Sequence, residues 1–79
     1  MRVTVKLPRL GMQTEEATVV RFCVRPGESF VAGDPLYEIE TEKVTNEIEA
    51  TADGVMVEHL VEEGDDVEVG DPVCIVETI

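Results

Sequence analysis

Displaced by 37 residues, the chain matches itself without a gap: residues 17–41, ATVVRFCVRPGESFVAGDPLYEIET, lie over residues 54–78, GVMVEHLVEEGDDVEVGDPVCIVET. Eight of the 25 aligned positions are identical: Val20/Val57, Val24/Val61, Gly27/Gly64, Gly33/Gly70, Asp34/Asp71, Pro35/Pro72, Glu40/Glu77 and Thr41/Thr78. Most others exchange like for like, among them Glu28/Asp65, Leu36/Val73 and Ile39/Val76. A repeat of this period marks one supersecondary unit used twice, because a single copy cannot bury its own apolar face. The chain therefore reads as a small quasi-twofold body, and Lys43 lies where the first copy hands over to the second.

Short runs that alternate apolar and polar residues are separated by Pro26-Gly27, Gly33-Asp34-Pro35, Asp53-Gly54, Gly64-Asp65 and Gly70-Asp71-Pro72. No stretch carries a 3.6-residue period with caps. Regular turn signals between β-branched runs predict an all-β sandwich or barrel. The strands expected are 2–7, 18–25, 29–32, 35–41, 45–50, 55–62, 67–69 and 73–78. The repeat arranges them as two four-stranded sheets to which each copy contributes, with 2–7 and 45–50 in corresponding places. In each Gly-Asp-Pro element glycine permits a positive φ, aspartate can bond the backbone downstream of it, and proline fixes the start of the next strand.

The 79 residues make one small domain, 1–79, with no Trp, one Tyr (Tyr37) and two Phe (Phe22, Phe30). A core of Val, Ile and Leu on this scale supports a compact fold but not a deep enclosed pocket, which argues against catalysis by the domain alone. His59, the only histidine, aligns with Phe22 and reads as half-buried strand filler, with a general base as the alternative. Cys23 and Cys74 align with Leu60 and Tyr37 and read as small buried hydrophobes of a reducing compartment, ahead of a disulfide. Two cysteines and one histidine make a poor zinc set, and Glu62–Asp66 lacks the ligand spacing of a calcium loop, so no metal is expected.

No apolar run approaches the roughly 20 residues of a membrane span. The opening MRVTVKL is too short and too alternating for a targeting peptide, so the expectation is a soluble cytoplasmic protein or a piece of one. The net charge is −12, and residues 38–79 hold fourteen acidic residues against a single base, Lys43. Such a surface repels nucleic acid and anionic membranes. It keeps the domain soluble and monomeric, and it would also complement basic partners that draw Lys43 inward. Arg21 and Arg25 align with Glu58 and Glu62, so the quasi-symmetric faces should differ in charge.

The short connection Glu42-Lys43-Val44 between expected strands 35–41 and 45–50 contains no Gly or Asn, which favours a type I turn over a primed one. Lys43 should then project from a stiff hairpin tip. The usual fate of a lysine is plain surface exposure, but this chain has only two, Lys6 and Lys43, and Lys6 sits inside a strand pattern. Glu38, Glu40, Glu42, Glu47 and Glu49 surround Lys43 in sequence and favour its protonated amine, so an acylating enzyme must first remove a proton.

Glu40-Thr41-Glu42-Lys43 resembles the Glu-Thr-Asp-Lys hairpin of lipoyl domains in the biotin/lipoyl-attachment family, as found in the dihydrolipoamide acyltransferases of 2-oxo acid dehydrogenase complexes. The resemblance covers nearly the whole chain. It takes in Leu7-Pro8 and Leu10-Gly11, Val24-Arg25-Pro26-Gly27-Glu28, Gly33-Asp34-Pro35-Leu36, Gly54, Glu63-Gly64-Asp65 and Val69-Gly70. Departures are small: Glu42 for the commoner Asp, Val44 for Ala, and Ala17-Thr18 for Gly-Thr.

The resemblance implies a flattened barrel-sandwich of two four-stranded antiparallel sheets, and a Lys43 acylated with lipoic acid by a lipoate ligase or lipoyl transferase. It also implies a swinging arm serving a thiamine-diphosphate 2-oxo acid decarboxylase, an acyltransferase core and a flavoprotein dihydrolipoamide dehydrogenase. The cofactor would carry the reactivity and the domain its presentation. The alternatives are a biotin carrier domain, whose lysine typically lies between two methionines, and an unmodified structural barrel. The glycine-cleavage carrier protein is similar but longer, with helices this chain lacks. The resemblance leaves open which 2-oxo acid is served. It places specificity in the 8–16 loop, where Leu10 and Met12 either tuck into the sandwich edge or form an adhesive element.

Overall fold

The computed structural model describes residues 1–9, 15–42 and 44–78. Eight strands follow one another: β1 (Arg2–Lys6), β2 (Glu16–Phe22), β3 (Ser29–Phe30), β4 (Pro35–Glu40), β5 (Thr45–Glu49), β6 (Gly54–His59), β7 (Asp66–Glu68) and β8 (Pro72–Thr78). They form two antiparallel sheets, ordered β1-β8-β6-β3 and β5-β4-β2-β7. Advancing every strand by four turns the first order into the second, so the sequence repeat is a structural dyad in which each half, β1–β4 and β5–β8, gives two strands to each sheet. Extents of 34 × 21 × 17 Å make the body long and flattened.

The same hydrogen bonds recur 37 residues apart. The Arg25 N–H donates to the Glu28 carboxylate and the Glu62 N–H to that of Asp65. These turns end β2 at Phe22 and β6 at His59, three residues short of the expected 25 and 62. Turns at Gly33 and Gly70, where φ is 94° and 92°, likewise stop β3 at Phe30 and β7 at Glu68. The aspartates of these turns act opposite to the expected sense. Asp34 and Asp71 accept from the N–H groups of Val31 and Glu68, three residues upstream. β2 begins at Glu16, earlier than 18, because Glu16 and Ala17 pair with Glu68 and Val67 of the short β7.

The dyad leaves the 37-residue register only at β1 and β5. Leu7 bonds Asp71 and Gly70 as Ala50 bonds Asp34 and Gly33, so residue 7 takes the place of residue 50. Residues 7–15 therefore join β1 to β2 where residues 50–53 suffice between β5 and β6. The expected behaviour of Leu10 and Met12 in the longer connection lies outside the described residues.

The core lies between the sheets. Val19, Tyr37, Ile39, Met56, Val73 and Cys74 are wholly buried or nearly so, with Leu7, Phe30, Leu36, Val67 and Val76 around them. These are mainly equivalent pairs: Val19/Met56, Phe30/Val67, Leu36/Val73, Tyr37/Cys74 and Ile39/Val76. Each such burial contributes roughly 1.5–3 kcal/mol. The resulting rigid body fixes the strand ends on which the candidate site is built.

Candidate functional site

β4 and β5 run as a regular pair toward the hairpin, with Glu38 opposite Glu47, Ile39 opposite Asn46 and Glu40 opposite Thr45. One residue further on, the Thr41 N–H donates to the Val44 carbonyl at 2.8 Å, and the Thr41 hydroxyl donates to the same oxygen at 3.2 Å. Only Glu42 and Lys43 lie in the chain between those two residues. Glu42 and Val44 are exposed. Glu42 does not have a positive φ, which excludes both primed hairpin turns. Lys43 itself, the expected attachment residue, lies outside the described residues.

The dyad gives this end a twin. At the other end of the barrel the Thr78 N–H donates to the Met1 carbonyl at 2.8 Å and the Thr78 hydroxyl to the same oxygen at 3.2 Å. The bonds between Thr78 and Met1 thus repeat those between Thr41 and Val44, here without a two-residue turn joining the two strands. Lys6, the other lysine, closes β1 opposite Pro72, exposed on a paired strand rather than a connection.

Electrostatically the hairpin grows from an acidic sheet. Glu38 and Glu40 of β4, Glu47 and Glu49 of β5, Glu16 of β2, and Asp66 and Glu68 of β7 alternate with its buried or half-buried residues. Its base is Arg21 in β2, whose Nε and Nη2 donate to the two Glu38 carboxylate oxygens at 2.9 and 3.0 Å. That fork holds Glu38 below the usual carboxylate range and raises Arg21. The corresponding face of the other sheet carries Arg2, Thr4, Lys6, Glu58, Ile75 and Glu77. The faces differ in charge, but in the sense opposite to the Arg21/Glu58 exchange: the sheet that holds Arg21 is the more acidic one, because the carboxylates of its four strands outnumber that base.

The Biotin_lipoyl family model, described as biotin-requiring enzyme, matches residues 3–76. The chain belongs to this biotin/lipoyl-attachment family. It is 35% identical over 72 residues to the lipoamide acyltransferase component of the branched-chain alpha-keto acid dehydrogenase complex of Bacillus subtilis (strain 168). That match covers 91% of this chain and 17% of the relative, so the chain spans about a sixth of that protein's length. The solution structure of the lipoyl domain of the 2-oxoglutarate dehydrogenase complex from Azotobacter vinelandii superposes with a TM-score of 0.78 at 32% identity, covering 95% of both chains. A single-chain, multi-domain long-chain acyl-CoA carboxylase matches with a TM-score of 0.83 at 23% identity, covering 99% of this chain and 7% of that one, a likeness of fold alone. The chain is a lipoyl domain by fold and by sequence.

The remaining candidates of this lipoyl domain do not converge on a reaction centre. His59 is half-buried in β6. Its Nε2 lies 2.8 Å from the Val24 carbonyl and must donate to it, and its ring stacks on Phe22. It borders an open groove with Phe22, Arg25, Pro26, Val61, Glu62 and Glu63, which offers no hydroxyl or thiol nucleophile. Cys23 and Cys74 are free thiols, and burial raises both, Cys74 to about 11, so neither is poised as a thiolate. The Cys23 thiol comes near the Glu38 and Glu47 carboxylates, but Glu38 is already engaged by Arg21. The Glu62–Asp66 segment is a turn, with Asp65 capping Glu62. Sequence reasoning missed the role of Thr41. The signal was present, since Glu40-Thr41 and Glu77-Thr78 are identical pairs closing each copy.

Proposed function

We propose that Lys43 is the attachment point of a lipoyl group and that the domain works as its carrier. The observation that carries this reading is the Thr41–Val44 closure, which leaves only Glu42 and Lys43 in the chain between two paired strands of a lipoyl-type barrel. A primary amine there suits a group held by an amide bond. Loaded, the lipoyl group supplies reversible thiol–disulfide and acyl-transfer chemistry that this chain's own side chains cannot. The residues of the chain contribute presentation: β4 and β5 fix the base of the arm, and the acidic sheet beside it complements basic active-site mouths.

The partners of this reading are a lipoate ligase or lipoyl transferase, a thiamine-diphosphate 2-oxo acid decarboxylase, an acyltransferase core and a flavoprotein dihydrolipoamide dehydrogenase. Tethering the group to one mobile domain replaces diffusive encounters by high effective concentration.

The test is the intact mass after incubation with lipoate, ATP and a lipoate ligase, for the wild type, Lys43→Ala and Lys6→Ala. One lipoyl adduct is expected in the wild type and Lys6→Ala and none in Lys43→Ala. An adduct with biotin and its ligase instead would move the domain to the biotin carriers. None with either would overturn the carrier reading.

A further inference from the structure

We propose that the Thr41 hydroxyl is a positioning group for Lys43: it fixes the strand ends so that the amine is presented to the enzyme that acylates it. The inference rests on the carrier reading above. Three observations carry it. The Val44 carbonyl accepts both the N–H and the hydroxyl of Thr41, so the first residue after the lysine is tied twice to the second residue before it. The turn between them is not a primed one, since Glu42 has no positive φ, and unprimed two-residue turns fit the right-handed strand twist poorly. A side-chain latch just below the turn resists the splaying such a turn imposes. Finally, the same pair of bonds joins Thr78 to Met1, where there is no turn to hold. The hydroxyl therefore reinforces the backbone bond that holds the strands together at either end, and only at the hairpin does that hold govern a reacting group.

In the acylation the deprotonated Lys43 amine attacks the carbonyl carbon of an activated lipoyl acyl group, the adenylate that the ligase makes from lipoate and ATP. The amide C–N bond forms, the acyl–phosphate bond breaks and AMP leaves; the second amine proton passes to solvent or to the ligase. Thr41 takes no part in these bonds. Its effect is to limit the arrangements in which the amine meets the carbonyl, the factor that orientation contributes to rate.

The dyad supplies the control. Thr41→Val and Thr78→Val each remove one hydroxyl while keeping a β-branched residue, and Thr41→Ser restores the hydroxyl. Each is assayed for kcat/KM of lipoylation by lipoate ligase with lipoate and ATP, for urea stability, and for hydrogen exchange of the Thr41 and Glu42 amides by NMR. Thr41→Val should slow lipoylation about fivefold, the scale of one neutral hydrogen bond that orients a reacting group. Hairpin amide exchange should rise with it. Thr41→Ser should recover most of the rate, and Thr78→Val should lose the same stability as Thr41→Val with lipoylation unchanged. Thr41→Val lipoylated at the wild-type rate, or Thr78→Val slowed equally, would overturn the proposal, the second showing a general loss of stability. A wild type that takes no lipoyl group would defeat the carrier reading instead, and the exchange data would still report whether the latch holds the hairpin.

Discussion

Phe22 and His59 are the same position of the repeat, and they lie face to face, with ring centroids 3.6 Å apart and planes inclined by 8°. Two equivalent residues in mutual contact must straddle the dyad, so this stack is where the copies meet. His59 adds a bond that Phe22 cannot make, from Nε2 to the Val24 carbonyl. His59→Phe should keep the stack and lose that bond, costing about 1 kcal/mol because water in the open groove can replace it. His59→Ala loses both and should cost about 2–3 kcal/mol. Urea midpoints at constant m-value check the order, and equal losses would show that the stack contributes nothing.

Gly54 and Ala17 form another equivalent pair, and the structure explains why they differ. A Cβ on Gly54 would collide with the Glu77 carbonyl oxygen of the neighbouring β8 and sit 3.1 Å from Phe30 Cζ. At the equivalent place around Ala17 the smaller Val67 stands for Phe30. The two sites divide volume differently, glycine under phenylalanine and alanine under valine. Gly54→Ala should destabilise by about 3 kcal/mol, the upper range for overpacking, because backbone must move. Ala17→Gly should cost only about 1 kcal/mol through lost packing and added chain freedom. Thermal unfolding of the two variants side by side is the check.

The strands, their grouping and the dyad were legible because Val, Ile and Leu alternate between turns whose glycines and prolines admit few conformations. Less legible was whatever depends on contacts between copies. Strand ends at Phe22 and His59 come three residues early because Glu28 and Asp65 cap the turns, a side-chain choice that periodicity does not register. The stacking of Phe22 on His59 was hidden because alignment shows equivalence and not contact. The Gly54/Ala17 difference reads in sequence as a tolerated exchange, and only the close approach of the Glu77 carbonyl, with Phe30 beside it, makes glycine necessary at 54. Lys43 was picked out by scarcity and by its neighbours. Thr41 was marked in the sequence only by the recurrence of Glu40-Thr41 as Glu77-Thr78, and which carbonyl its hydroxyl bonds depends on the fold of the hairpin.

The Arg21–Glu38 fork predicts a pH dependence with a definite sign. The folded-state pKa of Glu38 lies below its ordinary 4.5, with the Arg21 hydrogen bond as the main cause. The pair's contribution is therefore complete above the unfolded value and is lost as pH falls through the lowered folded value. Other carboxylates titrate in the same range and relieve self-repulsion, so the variable to follow is the difference between wild type and Arg21→Gln. That difference should favour the wild type at neutral pH and shrink as the solution is acidified below 4.5, the ordinary value. It should also shrink with added salt, since Arg21 is exposed. A difference independent of pH would mean that Arg21 acts by packing its stem and not by its charge.

Tyr37 and Cys74, also equivalent, are both fully buried, and the Tyr37 hydroxyl has no hydrogen-bond partner among the described residues. Burial raises its pKa well above the ordinary 10.0, because the phenolate cannot form inside the core. The unfolded chain loses that proton near the ordinary value and the folded chain does not, so stability must fall as pH rises above 10.0. Tyr37→Phe removes both liabilities while keeping the ring against Phe22, 6.0 Å between centroids. It should be neutral or up to about 1 kcal/mol more stable at pH 7, where an unsatisfied polar group is deleted. Its advantage should widen in alkali, where the wild type alone bears the cost of keeping the proton. Tyr37 is the only tyrosine and there is no tryptophan, so absorbance of the phenolate follows this residue alone. In the wild type that signal should stay absent above the ordinary value and appear together with unfolding; a phenolate forming while the far-UV β signal persists would show that the hydroxyl reaches water.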